Sequence, residues 1–187
     1  MIQSFSAGTM LHLLLLSLLS AVLVMAPVAT GTIHAESAGS VQEVSEDTDD
    51  RIDAVQGLVT GTVQQVGFRA AIFRLAIQYN MAGWDENLPD GTVRFLLQGP
   101  RSRIDKVVGL IPSADPKGRV SGISTEHVPV SPDLRAFTVR GWTSKSRGYS
   151  KPTDLVFQLR SPDTPVSRKE ANRTYHGILK RAMGTGA

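Results

Sequence analysis

From residue 55 to 63 (VQGLVTGTV) the chain is rich in β-branched residues and loosely alternates apolar with small or polar positions, which predicts a strand. From 67 to 80 (GFRAAIFRLAIQYN) the period changes. Phe68, Ile72, Leu75, Ala76 and Tyr79 recur at steps of three and four, forming one apolar stripe of a helix, with Asn80 as its stop. Residues 81–86 read as a second strand and 92–98 as a third. Leu88-Pro89-Asp90-Gly91 between them is a tight turn: proline presets φ, aspartate bonds locally and glycine accepts positive φ. Gly99-Pro100 reads as a break. Ile104, Val107, Val108 and Ile111 then share one face of a second helix over 101–111. After a loop at 112–118, residues 120–130 and 136–142 both read as strands and compete for the last place in the order β-α-β-β-α-β. That order predicts an α+β, ferredoxin-like sandwich: an antiparallel sheet with two helices on one face.

The flanks differ in pattern. Residues 1–35 carry no Lys, Arg, Asp or Glu, and 10–25 (MLHLLLLSLLSAVLVM) are almost wholly apolar. A membrane span needs roughly 20 such residues, so a run of 16 fits a signal-peptide core better. A cleaved signal peptide and a retained N-terminal anchor both stay open; either places the rest outside the cytoplasm, in the periplasm or the extracellular space. Residues 36–54 hold seven acids and one base with little apolar content, the pattern of a disordered acidic linker. Residues 143–187 hold nine bases and three acids. This basic C-terminal extension contains a loop (143–153), an alternating strand (154–160) that would cover a sheet edge, and a sparsely apolar helix (167–183) with Ser167 as cap and Glu170 three residues on. It reads as a solvated extension packed loosely on the domain, or as a contact for an anionic membrane surface or cell-envelope polymer.

Composition removes whole classes. The 187 residues contain no cysteine, which excludes disulfides, thiolate catalysis and cysteine-ligated metal sites. Aromatics at 6% are too few for a base-stacking surface, so no nucleic-acid partner is expected. His12, His34, His127 and His176 lack metal-ligand spacing. No cofactor is expected, and a monomer is.

The chemistry concentrates in residues 61–69, GTVQQVGFR, between the first strand and the first helix. A loop entering a helix N-terminus presents unpaired N–H groups, which the helix dipole makes into an anion site. Arg69, in the first turn, is a cation at the positive end of that dipole; it belongs there only if it faces an anion, and its planar fork suits phosphate. With GWDENLPDG at 83–91 and GP after the next strand, the chain resembles the acylphosphatase family over residues 55–142. That family's pattern is close to G-x-V-Q-G-V-G-F-R, later G-W-x-x-N-x-x-D-G. The resemblance implies a ferredoxin-like fold and metal-independent hydrolysis of the carboxyl–phosphate bond of a small acyl phosphate. It implies Arg69 as the catalytic, phosphate-binding arginine and Asn87 as the residue that orients water. Gln64, Gln65, Val66, Gly67 and Phe68 become a phosphate cradle acting through backbone N–H groups.

Such a site needs no general acid, because the leaving carboxylate has an ordinary pKa of about 4. Trp84 and Phe68 read as core residues and Asp90 as a turn former. Two departures matter. Gln65 stands where the family has glycine, so a positive φ there would cost about 1 kcal/mol. Asp85 and Glu86 replace an apolar or basic pair and would oppose an anionic substrate. These leave two rivals: an exported, weakly active or inactive anion-binding module of the same fold, and a structural adaptor whose tail does the work.

Overall fold

The computed structural model describes residues 51–184. The expected leader and most of the acidic linker lie outside the described residues. The elements, in chain order, are β1 (Ile52–Thr62), α1 (Phe68–Tyr79), β2 (Ala82–Asn87), β3 (Val93–Pro100) and α2 (Arg101–Leu110). A 3-10 turn (Ile111–Ser113), β4 (Arg119–His127), β5 (Ala136–Ser144), a second 3-10 turn (Lys145–Arg147), β6 (Tyr149–Gln158) and α3 (Arg168–Gly184) complete it. The chain has the α+β, ferredoxin-like arrangement with a strand–helix extension.

The six strands form one sheet in the order β4-β1-β3-β2-β5-β6. β1 lies antiparallel to β3, with Val55 opposite Leu97 and Val59 opposite Val93. β2 completes an antiparallel set with β3. The sheet is not antiparallel throughout: β5 runs parallel to β2, Gly83 facing Phe137 and Asp85 facing Val139. The two strands expected to share the last role therefore have different ones. β4 pairs with β1 at one edge, and the chain then crosses to the far side of β2. Gln98, buried near the end of β3, holds this crossing. Its Nε2 donates to Ser131 O at 2.8 Å and its Oε1 accepts from Ser131 N at 2.7 Å.

Several boundaries differ from the expected ones for local reasons. β1 starts at Ile52, inside the segment expected to be linker. Asp53 there is held by Arg101 (3.1 Å) and His127 (3.0 Å). β3 runs through Gly99-Pro100, since Ile52 and Asp53 pair with them; Pro100 is also the residue before α2. β6 begins at Tyr149, within the expected basic loop, and pairs with β5 alone. An edge strand tolerates the polar run 149–153 and its Pro152, because half its backbone needs no partner.

The core lies between one sheet face and the helices. Val59, Phe95, Leu97, Phe137 and Leu155 project from the sheet against Ile72, Phe73 and Ile77 of α1 and Ile104 of α2, all fully buried. The buried face of α1 is wider than the predicted stripe because α3 covers part of it. Ala171, Tyr175, Ile178 and Leu179 form a stripe of spacing four, three and one that faces inward. Tyr175 sets its ring edge-on to Phe73, 6.2 Å between centroids. The tail is thus a third helix of the core rather than a loosely held solvated extension. Ser167 caps it as expected, its Oγ accepting from Glu170 N at 3.2 Å.

Asn80 fixes the link between β6 and α3. It ends α1 in the left-handed region (φ 54°). Its Nδ2 donates to Asp163 at 2.6 Å and its Oδ1 accepts from Arg160 N at 2.8 Å. The Arg160 guanidinium in turn donates to Ile77 O in the last turn of α1 at 2.8 Å, a cation at the negative end of the helix. Among the described residues no helix is long and apolar enough to cross a membrane.

Candidate active site

Five residues, 63–67, join β1 to α1. Val63 is buried and anchors the loop in the core. Gln64 turns its side chain away from the helix, and its Nε2 donates to Leu88 O and Thr92 O, each at 2.8 Å. This ties the loop to the β2–β3 turn just beyond Asn87. Asp90 organises the same turn, accepting from Thr92 N at 2.9 Å and Thr92 Oγ1 at 2.6 Å; these bonds hold its carboxyl below the usual range.

Gln65 adopts φ +62° and Gly67 φ +97°. Left-handed residues in a short loop curl successive amides around a hollow, the geometry of an anion nest. Among the described residues, no hydrogen bond engages the N–H groups of Gln65, Val66 or Gly67. Gln65 therefore occupies the strained conformation that a glycine would adopt freely. A side chain on Gly67 would press within 3.2 Å of Asp115 Oδ2. Asp115 is a buried loop residue whose Oδ1 accepts from Lys117 N at 2.8 Å.

Arg69 is half-buried in the first turn of α1, and its Nη1 donates to Arg140 O. Burial lowers its pKa from the ordinary arginine value, and the nearby carboxyl of Asp85 partly opposes this. Asn87 is exposed at the end of β2, and its side-chain amide has no partner among the described residues. A cavity of about 780 Å³ brings these groups together. Gln65, Val66, Gly67, Phe68, Arg69 and Asn87 all line it; Gln64 does not. The expected site residues therefore meet at one place, with Gln64 serving the frame. Phe68 is both core, 1% exposed, and cavity wall.

The two acids of β2 part company because strand side chains alternate between faces. Glu86 points to the face opposite Asn87. There it pairs with Arg94 at 2.6 Å and Arg140 at 3.6 Å, so its charge is neutralised away from the cavity. Trp84 shares that open face instead of the core, with the guanidinium groups of Arg140 and Arg94 4.0 Å and 5.6 Å from its ring centre. Asp85 shares the face of Asn87 and is completely buried, and neither carboxyl oxygen has a hydrogen-bond partner. Burial pushes its pKa well above the usual range; Arg69 pulls it down and Glu86 adds to the rise. It is not the exposed negative charge its sequence neighbourhood predicts. The alternation itself held the signal, since Gly83, Asp85 and Asn87 share one parity.

The sequence also gave no sign of the far wall. Trp142, Thr143, Ser144, Ser146 and Arg147 from the β5–β6 hairpin, Arg74 of α1, Lys117 and Tyr175 of α3 line the cavity beyond the loop. Among the described residues no group of three or more His, Asp or Glu is placed to hold a metal ion.

A family model described as Acylphosphatase matches residues 55–139. An acylphosphatase of Paraburkholderia xenovorans is 39% identical over 83 residues, covering 44% of this chain and 86% of the relative. One of Burkholderia cenocepacia is 40% identical over 78 residues, covering 42% and 80%. The crystal structure of acylphosphatase from Bacillus subtilis superposes with a TM-score of 0.44 at 29% identity, covering 46% of this chain and 96% of that one. With most of the length of such relatives spanned, the chain belongs to the acylphosphatase family of enzymes.

Proposed function

We propose that the cavity hydrolyses acyl phosphates with Arg69 and the 65–68 amides holding the phosphoryl group and Asn87 orienting water. The observation that carries this is the convergence of a guanidinium, unpaired loop amides and an unpartnered side-chain amide on one hollow. Water oxygen attacks phosphorus in line. The bond from phosphorus to the acyl oxygen breaks, the electron pair leaves with the carboxylate, and the water proton passes to solvent or to the phosphate product. The carboxylate needs no protonation to leave. What remains for the protein is positioning and charge stabilisation in the transition state. Arg69 meets the growing charge on the phosphoryl oxygens, and Gln64 keeps the loop and the Asn87 turn in register.

Hydrolysis of benzoyl phosphate by the full chain, in the presence of a chelator, tests this beside Arg69→Gln and Asn87→Ala. Each substitution is expected to lower kcat/KM by about 10²–10³-fold without loss of folded structure. Turnover unchanged in Arg69→Gln would sink the assignment. The strained Gln65 favours a second reading, a binding module that holds anions with little turnover. Folded wild-type protein that binds phosphate but does not hydrolyse benzoyl phosphate would establish it. We also read residues 1–35 as an export leader or anchor and 36–50 as linker. N-terminal sequencing of the protein recovered outside the cytoplasm tests that placement.

A further inference from the structure

We propose that the wall of the cavity contributed by the C-terminal extension and α1 is a second anion subsite, so that the substrates preferred are acyl phosphates whose acyl group carries a further carboxylate or phosphate. This rests on the reading of the 65–69 end as the phosphoryl site.

Three observations carry it. The first is size. At about 780 Å³ the cavity falls within the range of about 300–1,000 Å³ that encloses a drug-sized ligand, well beyond a phosphoryl group with a short acyl chain. The second is charge. Arg69, Arg74, Lys117 and Arg147 line the space against one acid, Asp115. Among the described residues no carboxylate pairs with Arg74, Lys117 or Arg147. Arg69 and the loop amides suffice for one phosphoryl group. Three more cations sharing the same hollow focus a field that a second anion would satisfy. The third is preorganisation. The Arg74 guanidinium sits 5.3 Å from the ring centre of Tyr175, which is itself 5% exposed and packed on Phe73. Arg147 follows Ser144 and Ser146, whose hydroxyls lie 3.3 Å apart at the same wall. The hairpin and α3 side chains of this wall come from beyond residue 139, where the match to the family ends. The part of the subsite that holds Arg147, Ser144, Ser146 and Tyr175 is therefore a property of this chain's extension.

The test is calorimetric binding of phosphonates, which are not hydrolysed. Ethylphosphonate occupies only the phosphoryl end; ω-carboxyalkylphosphonates with three to six carbons add a carboxylate at increasing reach. At least one carboxylated member is expected to bind about tenfold or more tightly than ethylphosphonate, the worth of one hydrogen bond to a charged group. Arg147→Gln should remove that advantage and leave ethylphosphonate affinity unchanged; Arg74→Gln should reduce it. Ethylphosphonate binding with no gain from any carboxylate overturns the subsite while the phosphoryl site stands. Equal loss of both ligands in Arg147→Gln also overturns it. Failure of every phosphonate to bind overturns the phosphoryl site and the subsite together.

Discussion

The two ends of the cavity are built in opposite ways. The phosphoryl end uses five consecutive residues, 65–69, with Asn87 as the one distant addition, and works chiefly through backbone groups. The far end uses side chains from α1, a loop, a hairpin and α3, at positions as far apart as 74 and 175. The first is a local structure that a nine-residue motif can specify. The second is assembled from elements distant in the chain, with Tyr175 of α3 as one part of it. The end proposed to catalyse is thus independent in sequence from the end proposed to select.

The sharpest way to break that comparison is to undock α3. Tyr175→Ala removes a buried ring shared by core and cavity and should cost about 3–5 kcal/mol, read from urea unfolding. If the two ends are separable, the folded fraction of this variant keeps its ethylphosphonate affinity. A matching loss of both would show that the phosphoryl end needs α3.

The next effect concerns Asp85. Its folded-state pKa is raised by burial above the unfolded value of about 4, so the folded protein holds a proton that the unfolded chain releases. Its contribution is therefore most favourable below pH 4 and declines as pH rises through the folded value. Asp85→Val removes two unpartnered buried oxygens and should add about 1–3 kcal/mol near neutral pH. Melting temperatures of the two proteins should diverge with rising pH above about 4. A constant difference would show that Asp85 does not titrate on unfolding over that span.

The smallest effect is Gln65→Gly. Relief of the positive φ should stabilise by up to about 1 kcal/mol, less the added entropy of an unfolded glycine. Turnover that rises with it would mean that the Gln65 side chain crowds the anion. Turnover unchanged would confine the substitution to the loop backbone.

The same contrast explains how far the sequence could be read. α1, the β2–β3 hairpin and α2 rest on local periodicity and turn chemistry, and they stand where those signals put them, within a residue or two. The loop between β1 and α1 stands there too, and its residues 65–69 line one cavity with Asn87, while Gln64 does not. Partner choice is non-local. Nothing in residues 120–130 or 136–142 says which lies beside β1, because both alternate and the pairing depends on a crossing held by Gln98. β6 is legible where Leu155 and Phe157 alternate, and its first half hides in a polar run because an edge strand has few apolar positions to show. α3 reads as sparsely apolar because only Ala171, Tyr175, Ile178 and Leu179 need to face inward when the rest meets solvent. The type of Asp85 suggests water, while its parity with Asn87 places it inside.

Tyr175 stands in the core against Phe73 and in the wall of the cavity beneath Arg74. A ligand that spans the phosphoryl end and that wall binds the state with α3 docked more tightly than the state with α3 open. If the wall adds the tenfold proposed above, such a ligand at saturation raises the free energy of α3 opening by about 1.4 kcal/mol. The amides of α3 would then exchange their hydrogens about ten times more slowly, and the C-terminus would be shielded from proteases in proportion. The supply of substrate would set the lifetime of the chain's own end.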